Sequence, residues 1–155
     1  MSLGVMIDCS RDAVMTVAQL KNFIAILAKF GYDSVQLYTE DTYEITGEPY
    51  FGYMRGRYTQ EEIRTLDKFC RKLGVELIPC VQTLAHLNQM LRWHTYADIN
   101  DVNDILLVDE PKTYEFIDRM FASLANSFSS RRVNIGMDEA HMLGLGKYLN
   151  KHGYC

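Results

Sequence analysis

The chain has 155 residues, 48% of them hydrophobic, which is enough for one globular domain with a sizeable core. Its 16 Lys and Arg against 20 Asp and Glu give a net charge of −4, which disfavours a domain that binds a nucleic-acid backbone through charge alone. The sequence has no apolar run near the roughly 18 residues of a membrane span and no secretory pattern at its start. We therefore expect no nucleic-acid partner and no membrane association.

Short apolar runs alternate along the chain with longer segments of helical periodicity. The predicted strands share this apolar character and lie at 5–8, 34–38, 75–81 and 133–137. The predicted helices, in which apolar residues recur every three or four positions, lie at 16–31, 59–74, from 111 to about 128, and at 140–153. Residues 82–110 are predicted to form a long irregular stretch before the third helix.

The first two helices carry start and stop signals. Thr16 with Gln19 and Thr59 with Glu62 have the spacing of capping boxes, and each helix is followed by a glycine that can adopt a left-handed conformation. In the third helix the periodicity predicts an inward face of aromatic and aliphatic residues: Tyr114, Ile117, Phe121, Leu124 and Phe128.

Strand and helix alternating four times indicate parallel strands joined by right-handed crossovers. Two architectures have this pattern, an open doubly wound sheet and half of an eight-stranded α/β barrel. Polar residues follow every predicted strand, whereas an open sheet usually concentrates its site at one switch point. They are Asp8, Ser10, Arg11 and Asp12 after the first strand, and TEDTYE, QTLAH and DEAH after the others. We therefore predict about four parallel (β/α) units, half of a TIM-type (β/α)8 barrel, as one partial domain over residues 1–155.

The four cysteines show neither the paired spacing of zinc sites nor a disulfide framework. They are Cys9, Cys70, Cys80 and Cys155. Free cysteine packs as a small hydrophobic residue, and reduced thiols are typical of the cytoplasm. We therefore expect buried structural thiols, a cytoplasmic location and no cofactor.

The DEAH sequence at 138–141 is compatible with two chemistries. A helicase box requires an upstream phosphate-binding loop GxxxxGK[ST], which the chain lacks. At the end of a strand, a turn in the backbone can instead aim Asp138 and Glu139 at one pocket. Adjacent carboxylates do not easily flank a sugar ring at about 5–5.5 Å, as those of two-carboxylate retaining glycosidases do. If the substrate supplies its own nucleophile, a 2-acetamido carbonyl, Glu139 can be the general acid while Asp138 orients the acetamide.

The chain contains, in order, the segments GVMIDCSR, QLYTEDTYEI, YTQEEIRTLDKFCRKLGVELIPCVQTLAH and NIGMDEAH. They resemble four parts of the family 20 glycoside hydrolases, the β-N-acetylhexosaminidases. The resemblance implies that glycans with a terminal β-linked N-acetylhexosamine are the substrates and that catalysis is substrate-assisted and retaining. It implies that Glu139 is the acid/base and that Asp138 is the partner of the acetamide. The family often has Asp-Met-Pro-Gly-His after its third strand, where this chain has QTLAH.

The same resemblance implies four substrate-binding residues. Arg11 would grip hydroxyls of the terminal sugar. Glu40 and Asp41 stand where the family commonly has two aspartates, and His86 stands where the family has a histidine linked to the acid. A carboxylate–His–Glu arrangement of this kind tunes the proton affinity of the acid.

Trp93 and His141 are further candidates for substrate binding. Trp93, the only tryptophan, is expected either to stack on a sugar or to anchor its loop. His141 lies beside the acidic pair and either contacts the substrate or has a structural role at the start of a helix. A metal site formed by His86, Glu139 and His141 would lack close ligand spacing, so we predict no metal.

The family resemblance also implies a full barrel of eight strands, which takes about 250 residues. We therefore expect this chain to be the N-terminal half of a longer catalytic domain and to be almost inactive alone. The alternative to an enzyme is a non-catalytic half-barrel that forms a homo-oligomer through its open sheet edges.

Overall fold

The computed structural model describes residues 2–11 and 13–154, so the predictions for Asp12 and Cys155 fall outside the described residues. A parallel sheet of three strands lies at the centre. Its strands follow chain order and were all predicted: β1 (Gly4–Asp8), β2 (Ser34–Tyr38) and β3 (Glu76–Cys80). The carboxyl ends of the three strands therefore lie at one edge.

Two long helices pack against this sheet. α1 (Val17–Lys29) and α2 (Gln60–Lys72) are the crossovers between successive strands, as predicted. The Thr16 hydroxyl accepts a hydrogen bond from the backbone in the first turn of α1, and Thr59 takes part in a complete capping box at the start of α2. These caps satisfy N–H groups that have no partner within the helix.

A first core forms between the sheet and these helices. Val35 and Leu77 are neighbours in the strand register, and Leu20 and Ile24 of α1 and Leu66 of α2 belong to the same buried cluster. Burial of such side chains stabilises the fold by about 25 cal/mol per Å² of apolar surface. Three free cysteines are buried, as predicted: Cys9, Cys70 and Cys80.

The stretch that the sequence predicted to be irregular is folded. It contains α3 (Asn88–Leu91), a 3₁₀ helix (His94–Ile99) and an antiparallel hairpin of β4 (Asn100–Val102) and β5 (Ile105–Leu106). The hairpin turns through Asn103, whose φ of 48° is left-handed, a conformation that asparagine tolerates. These elements are too short to give a recognisable hydrophobic period.

The next helix, α4 (Pro111–Ser127), has proline in its first turn, as predicted. Its inward face differs from the prediction, because Phe116 and Met120 are fully buried while Tyr114 is exposed. Phe116 packs edge-on against the ring of Tyr96, at 5.6 Å between centroids, in a second core beneath the 3₁₀ helix. The other predicted inward residues are buried or partly buried in this second core: Ile117, Phe121, Leu124 and Phe128.

The segment predicted as a fourth strand is joined to β3 by a single parallel bridge, between Asn134 and Cys80. Gly136 and Met137 then have φ values of 71° and 79°, which lie outside extended space, so the prediction of a strand continuing to Met137 is wrong. The α/β class with parallel strands is confirmed. The count of four (β/α) units is not, because this segment forms no regular strand in the described part of the chain.

The last helix, α5 (Lys147–His152), is shorter than the helix predicted at 140–153. The left-handed φ values of Glu139 and Gly144, 51° and 74°, interrupt the backbone before it. The backbone N–H of Tyr148 donates to Asp101 Oδ1 at 2.7 Å, so the start of α5 is held on the hairpin. Within 2–11 and 13–154, no helix is both long enough and apolar enough to cross a membrane.

Candidate active site

Polar side chains collect at the carboxyl ends of the strands. Ser10 follows β1, residues 39–42 follow β2, and Gln82 and Thr83 follow β3, and all of them are buried. Buried polar groups require partners. The ion pairs and hydrogen bonds at this edge therefore define the candidate site.

His86 lies between the acidic residues of the candidate site. Its Nε2 is 3.5 Å from Glu139 Oε2 and 3.6 Å from Asp138 Oδ2, and its Nδ1 is 4.0 Å from Glu40 Oε1. His86 Nε2 and Glu40 Oε1 are buried and have no hydrogen-bond partner, so these are close polar contacts rather than direct hydrogen bonds. The fold thus brings together two acids predicted to be catalytic, one predicted substrate-binding acid and the predicted histidine.

The backbone of His86 is held from the hairpin side. Its φ of 59° is left-handed, and its N–H donates to Asp104 Oδ2 at 3.1 Å. Asp104 lies in the turn between β4 and β5. The hairpin therefore fixes the path of the loop after β3, where this sequence departs from the pattern of the family it resembles.

Glu40 is a buried acid with a cation above it. Arg11 Nη2 lies 3.5 Å from Glu40 Oε1, and the Arg11 side chain is 70% exposed. Burial raises the pKa of Glu40, while the charges of Arg11 and His86 oppose that rise. Arg11 is placed to offer guanidinium donors to a ligand while Glu40 anchors it from below.

Asp138 and Glu139 point to the same side although they are neighbours in the chain. Met137 and Glu139 have left-handed φ values of 79° and 51°, and this turn lets both carboxylates approach His86. The side chains are 60% and 67% exposed. The amide of Gln82 donates to Asp138 Oδ1 at 3.0 Å, and this hydrogen bond is the largest cause that lowers the pKa of Asp138.

Asp41 faces a different partner from Glu40. Its Oδ1 lies 3.2 Å from Arg55 Nε, and both side chains are buried. Arg55 also donates to the carbonyl of Ser10. Burial raises the pKa of Asp41, and the guanidinium of Arg55 opposes that rise. This pair joins the loops that follow β1 and β2, and the structure does not place Asp41 among the contacts of His86.

Trp93 is packed on several sides. The Arg92 guanidinium lies 5.0 Å from the Trp93 ring centroid, and the rings of Tyr50 and Tyr53 lie 5.2 and 5.6 Å from it. Trp93 is therefore the centre of an aromatic cluster that joins the loops after β2 and β3. This packing agrees with an anchoring role, and no contact joins Trp93 to His86.

His141 is exposed, and its backbone N–H donates to the Glu139 carbonyl at 2.8 Å. Among the described residues its side chain makes no hydrogen bond or ion pair. The structure thus places His141 next to the acidic pair in the chain but outside the contacts of His86. Within residues 2–11 and 13–154, no group of three or more His, Cys, Asp or Glu side chains is arranged to hold a metal ion.

Three residues of the site were not predicted from the sequence. Gln82 had one available signal, its place directly after a predicted strand. Arg55 and Asp104 had none, because the contact that each makes depends on how two loops far apart in the chain fold toward each other.

The arrangement is suited to acid–base chemistry beside a fixed negative charge. Glu139 is exposed enough to reach a bound ligand and lies next to an imidazole, so it can donate and recover a proton. Asp138 accepts a hydrogen bond that favours its ionised form. An ionised carboxylate at that position can stabilise a positive charge that develops on the ligand.

Two curated relatives of this chain are β-hexosaminidases. The one from Akkermansia muciniphila is 22% identical over 88% of this chain and 34% of its own length. The one from Vibrio furnissii is 30% identical over 64% of this chain and 18% of its own length. The chain thus spans about a third or less of the length of these relatives.

The fold is similar to that of a solved structure, the family 20 exo-β-N-acetylglucosaminidase of Vibrio harveyi in complex with N-acetylglucosamine. The TM-score is 0.82 at 22% identity, over 99% of this chain and 30% of that one. The sequence model described as the catalytic domain of glycosyl hydrolase family 20 matches residues 3–151. Since this match extends over nearly the whole sequence, the chain belongs to glycosyl hydrolase family 20, as its motifs predicted.

Proposed function

We propose that this chain carries the catalytic carboxylates of a β-N-acetylhexosaminidase, which removes terminal β-linked N-acetylhexosamine from glycans. The observation that carries the proposal is the approach of both Asp138 and Glu139 to within 3.6 Å of His86 Nε2. Two adjacent carboxylates on one side of a site do not suit a double-displacement mechanism, which needs them on opposite sides of the sugar. They do suit a mechanism in which the substrate provides the nucleophile.

In the proposed first step, Glu139 donates its proton to the glycosidic oxygen, and the bond from that oxygen to the anomeric carbon breaks. The carbonyl oxygen of the 2-acetamido group forms a bond to the same carbon and gives a bicyclic oxazolinium ion. Asp138 accepts a hydrogen bond from the acetamide N–H and stabilises the positive charge that develops there. The leaving alcohol departs with the proton from Glu139.

In the second step, the Glu139 carboxylate removes a proton from a water molecule. The water oxygen bonds to the anomeric carbon, and the bond between that carbon and the acetamide oxygen breaks. Two inversions at one carbon give a product with the configuration of the substrate. Glu139 recovers its proton and the acetamide is restored.

The other residues of the site have supporting roles in this proposal. The buried Glu40 lies near Nδ1 of His86, and Glu139 lies near Nε2 on the opposite side of the ring. The three groups form a carboxylate–His–Glu arrangement, which tunes the proton affinity of the acid. The exposed Arg11 provides donors for hydroxyls of the terminal sugar. Both assignments agree with those that the family resemblance implied.

The finer form of the proposal makes this chain the N-terminal half of a (β/α)8 barrel, whose remaining strands close the sugar pocket. The exposure of Asp138 and Glu139 supports it, because a glycosidase excludes water around its reacting groups. The 155-residue chain alone is then expected to have little activity.

Substitution of the acid tests the proposal. In the protein with the complete barrel, which is called the native protein below, Glu139→Gln should lower turnover of an aryl N-acetyl-glucosaminide by about 10²–10⁴-fold. The reason is that an amide cannot donate the proton. Glu61→Gln, the same chemical change at an exposed position on α2, is the control and should keep full activity. Undiminished turnover in Glu139→Gln would contradict the assignment.

A second measurement isolates the substrate-assisted step. A thiazoline analogue of the oxazolinium ion should bind the native protein far more tightly than N-acetylglucosamine does, since it resembles the intermediate. Asp138→Asn should remove most of that difference. Equal affinity for both ligands would exclude participation of the acetamide.

The alternative function is a non-catalytic half-barrel that pairs with a second copy. The observation in its favour is the exposure of three apolar residues on the segment bridged to β3, since Val133, Ile135 and Met137 are 41%, 42% and 49% exposed. Light scattering separates the two functions. A monodisperse dimer that is lost in Ile135→Lys would favour self-association, and a monomer would contradict this alternative function.

A further inference from the structure

The side chain of Gln82 is a buried link between three parts of the candidate site. Its Nε2 donates to Asp138 Oδ1 at 3.0 Å and to the Tyr38 hydroxyl at 3.1 Å. Its Oε1 accepts a hydrogen bond from the backbone N–H of Met137 at 3.3 Å. Gln82 is completely buried, so one amide holds both the carboxylate of Asp138 and the backbone that carries it.

The lack of a side chain at Gly136 and its backbone conformation allow Gln82 to lie this close to the segment with the acidic pair. A Cβ atom at Gly136 would lie 2.3 Å from Gln82 Oε1 and 2.7 Å from the Val81 carbonyl oxygen, and the φ of Gly136 is +71°. Only glycine accommodates both the close approach and the left-handed backbone without strain. The segment with the acidic pair thus lies directly against the Gln82 side chain.

The groups around Asp138 explain why an amide is suited to this position. His86 lies 3.6 Å from Asp138 Oδ2 on one side, and Glu139 is its neighbour in the chain. The remaining titratable groups that face it from the sheet are Tyr38 and Cys80. Burial is the main cause that raises their pKa values to about 12 and about 11, so both stay neutral near pH 7. A carboxylate at position 82 would place a second negative charge within about 3 Å of Asp138, whereas an amide donates a hydrogen bond.

We propose that Gln82 is a positioning residue, whose side-chain amide fixes the orientation of the Asp138 carboxylate and disfavours its protonation. The role of this orientation in catalysis rests on the function proposed for Asp138. An ionised, directed carboxylate is what stabilisation of a developing oxazolinium ion requires. The hydrogen bond from Gln82 is also the largest cause of the lowered pKa of Asp138.

The first experiment uses the 155-residue chain with its native Gln82. The side-chain amide protons of Gln82 are followed by NMR through the acidic pH range, and the Asp138 carboxyl is followed in parallel. We expect both signals to titrate with one midpoint, and the amide titration to vanish in Asp138→Asn. Gln82 amide protons that do not respond to the ionisation of Asp138 would overturn the proposal.

The second experiment changes the residue. Gln82→Leu removes the donor at similar size, and Gln82→Glu keeps the shape but adds a like charge, so the pair retains a proton to higher pH. We expect the midpoint of Asp138 to rise in the order wild type, Gln82→Leu, Gln82→Glu. Gln36→Glu, the same change on the neighbouring β2, should leave that midpoint in place. Equal midpoints in all four proteins would refute the proposal, and if Gln82→Leu fails to fold, Gln82→Glu and the first experiment decide.

The pH dependence of hydrolysis in the native protein separates this inference from the proposed function. Since catalysis needs Asp138 ionised, Gln82→Glu should shift the acidic limb of the kcat profile to higher pH. If the acidic limb of the kcat profile does not move in Gln82→Glu while hydrolysis still depends on Glu139, the role of Gln82 is contradicted and the proposed function is not. If the protein with the complete barrel shows no hydrolysis while the 155-residue chain shows the expected NMR titration, the proposed function is contradicted and the role of Gln82 in positioning Asp138 is not.

Discussion

Glu40 Oε1 lies 4.0 Å from His86 Nδ1, and both side chains are largely buried beneath the exposed Arg11. Ionisation of Glu40 in this position is costly because water is excluded, and burial is the main cause of its raised pKa. The folded state therefore favours the protonated form more than the unfolded state does. The carboxylate is retained at a cost in stability, which fits a functional role.

Glu40→Gln should thus stabilise the fold at neutral pH while it lowers hydrolysis. The folded pKa is raised, so the cost of ionised Glu40 is absent below the ordinary glutamate range near about pH 4.3 and present above the folded pKa. At pH 7 we expect Glu40→Gln to have a higher Tm than the unchanged protein, and we expect this difference to disappear as the pH falls. Thermal unfolding at pH 7 and pH 4 measures it. Glu61→Gln is the exposed control, and a Tm that falls in Glu40→Gln at pH 7 would contradict the prediction.

Asp41→Ala should destabilise the chain strongly. It removes the buried carboxylate that accepts from Arg55 Nε, and loss of one partner from a buried ion pair typically costs about 3–5 kcal/mol. Asp98→Ala breaks the exposed pair with Lys112 and should change stability little. Urea unfolding of both variants gives the comparison. Similar midpoints for the two would mean that the pair between the first two loops is not a structural link.

Gly136→Ala tests the close approach of the acidic segment to Gln82. Gly74 has a similar left-handed φ, +72°, but a Cβ atom added there would meet nothing within 4 Å. Gly74→Ala should therefore cost only the backbone strain, about 1 kcal/mol. Gly136→Ala should cost at least about 2 kcal/mol more, because its Cβ meets the Gln82 amide and a backbone carbonyl. Denaturant unfolding measures the difference, and equal losses would show that the segment moves aside freely.

Local signals were sufficient to predict the first two helices and the strands that precede them. Thr59 and Glu62 cap their helix through contacts three residues apart, and such contacts can be recognised in a sequence. The prediction for the inward face of α4 was wrong at Tyr114. Phe116 and Met120 enter the second core instead, and this core is built by short elements that have no hydrophobic period of their own.

The same distinction holds for the candidate site. Asp138 and Glu139 were predicted from their place after a predicted strand, and His86 from the family resemblance, and the fold brings the three side chains together. A turn that aims both carboxylates at one pocket was predicted, but the left-handed conformation of Met137 and Glu139 was not, because neither residue type favours it locally. It depends on contacts made after folding, above all the hydrogen bond from the Met137 N–H to Gln82.

The isolated 155-residue chain should show almost no hydrolysis of an aryl N-acetyl-glucosaminide, although it carries both acids. Orientation of the reacting groups can provide roughly 7–11 kcal/mol of a barrier, and the acetamide must be held against the anomeric carbon for that gain. Asp138 and Glu139 are 60% and 67% exposed, so water screens the charge that Asp138 would exert on the oxazolinium ion. Weak binding of N-acetylglucosamine near Arg11 is expected to survive, and Arg11→Ala should abolish it. Turnover by the purified chain at about 1–10³ s⁻¹, absent in a Glu139→Gln preparation, would show that the described residues alone form a complete active site.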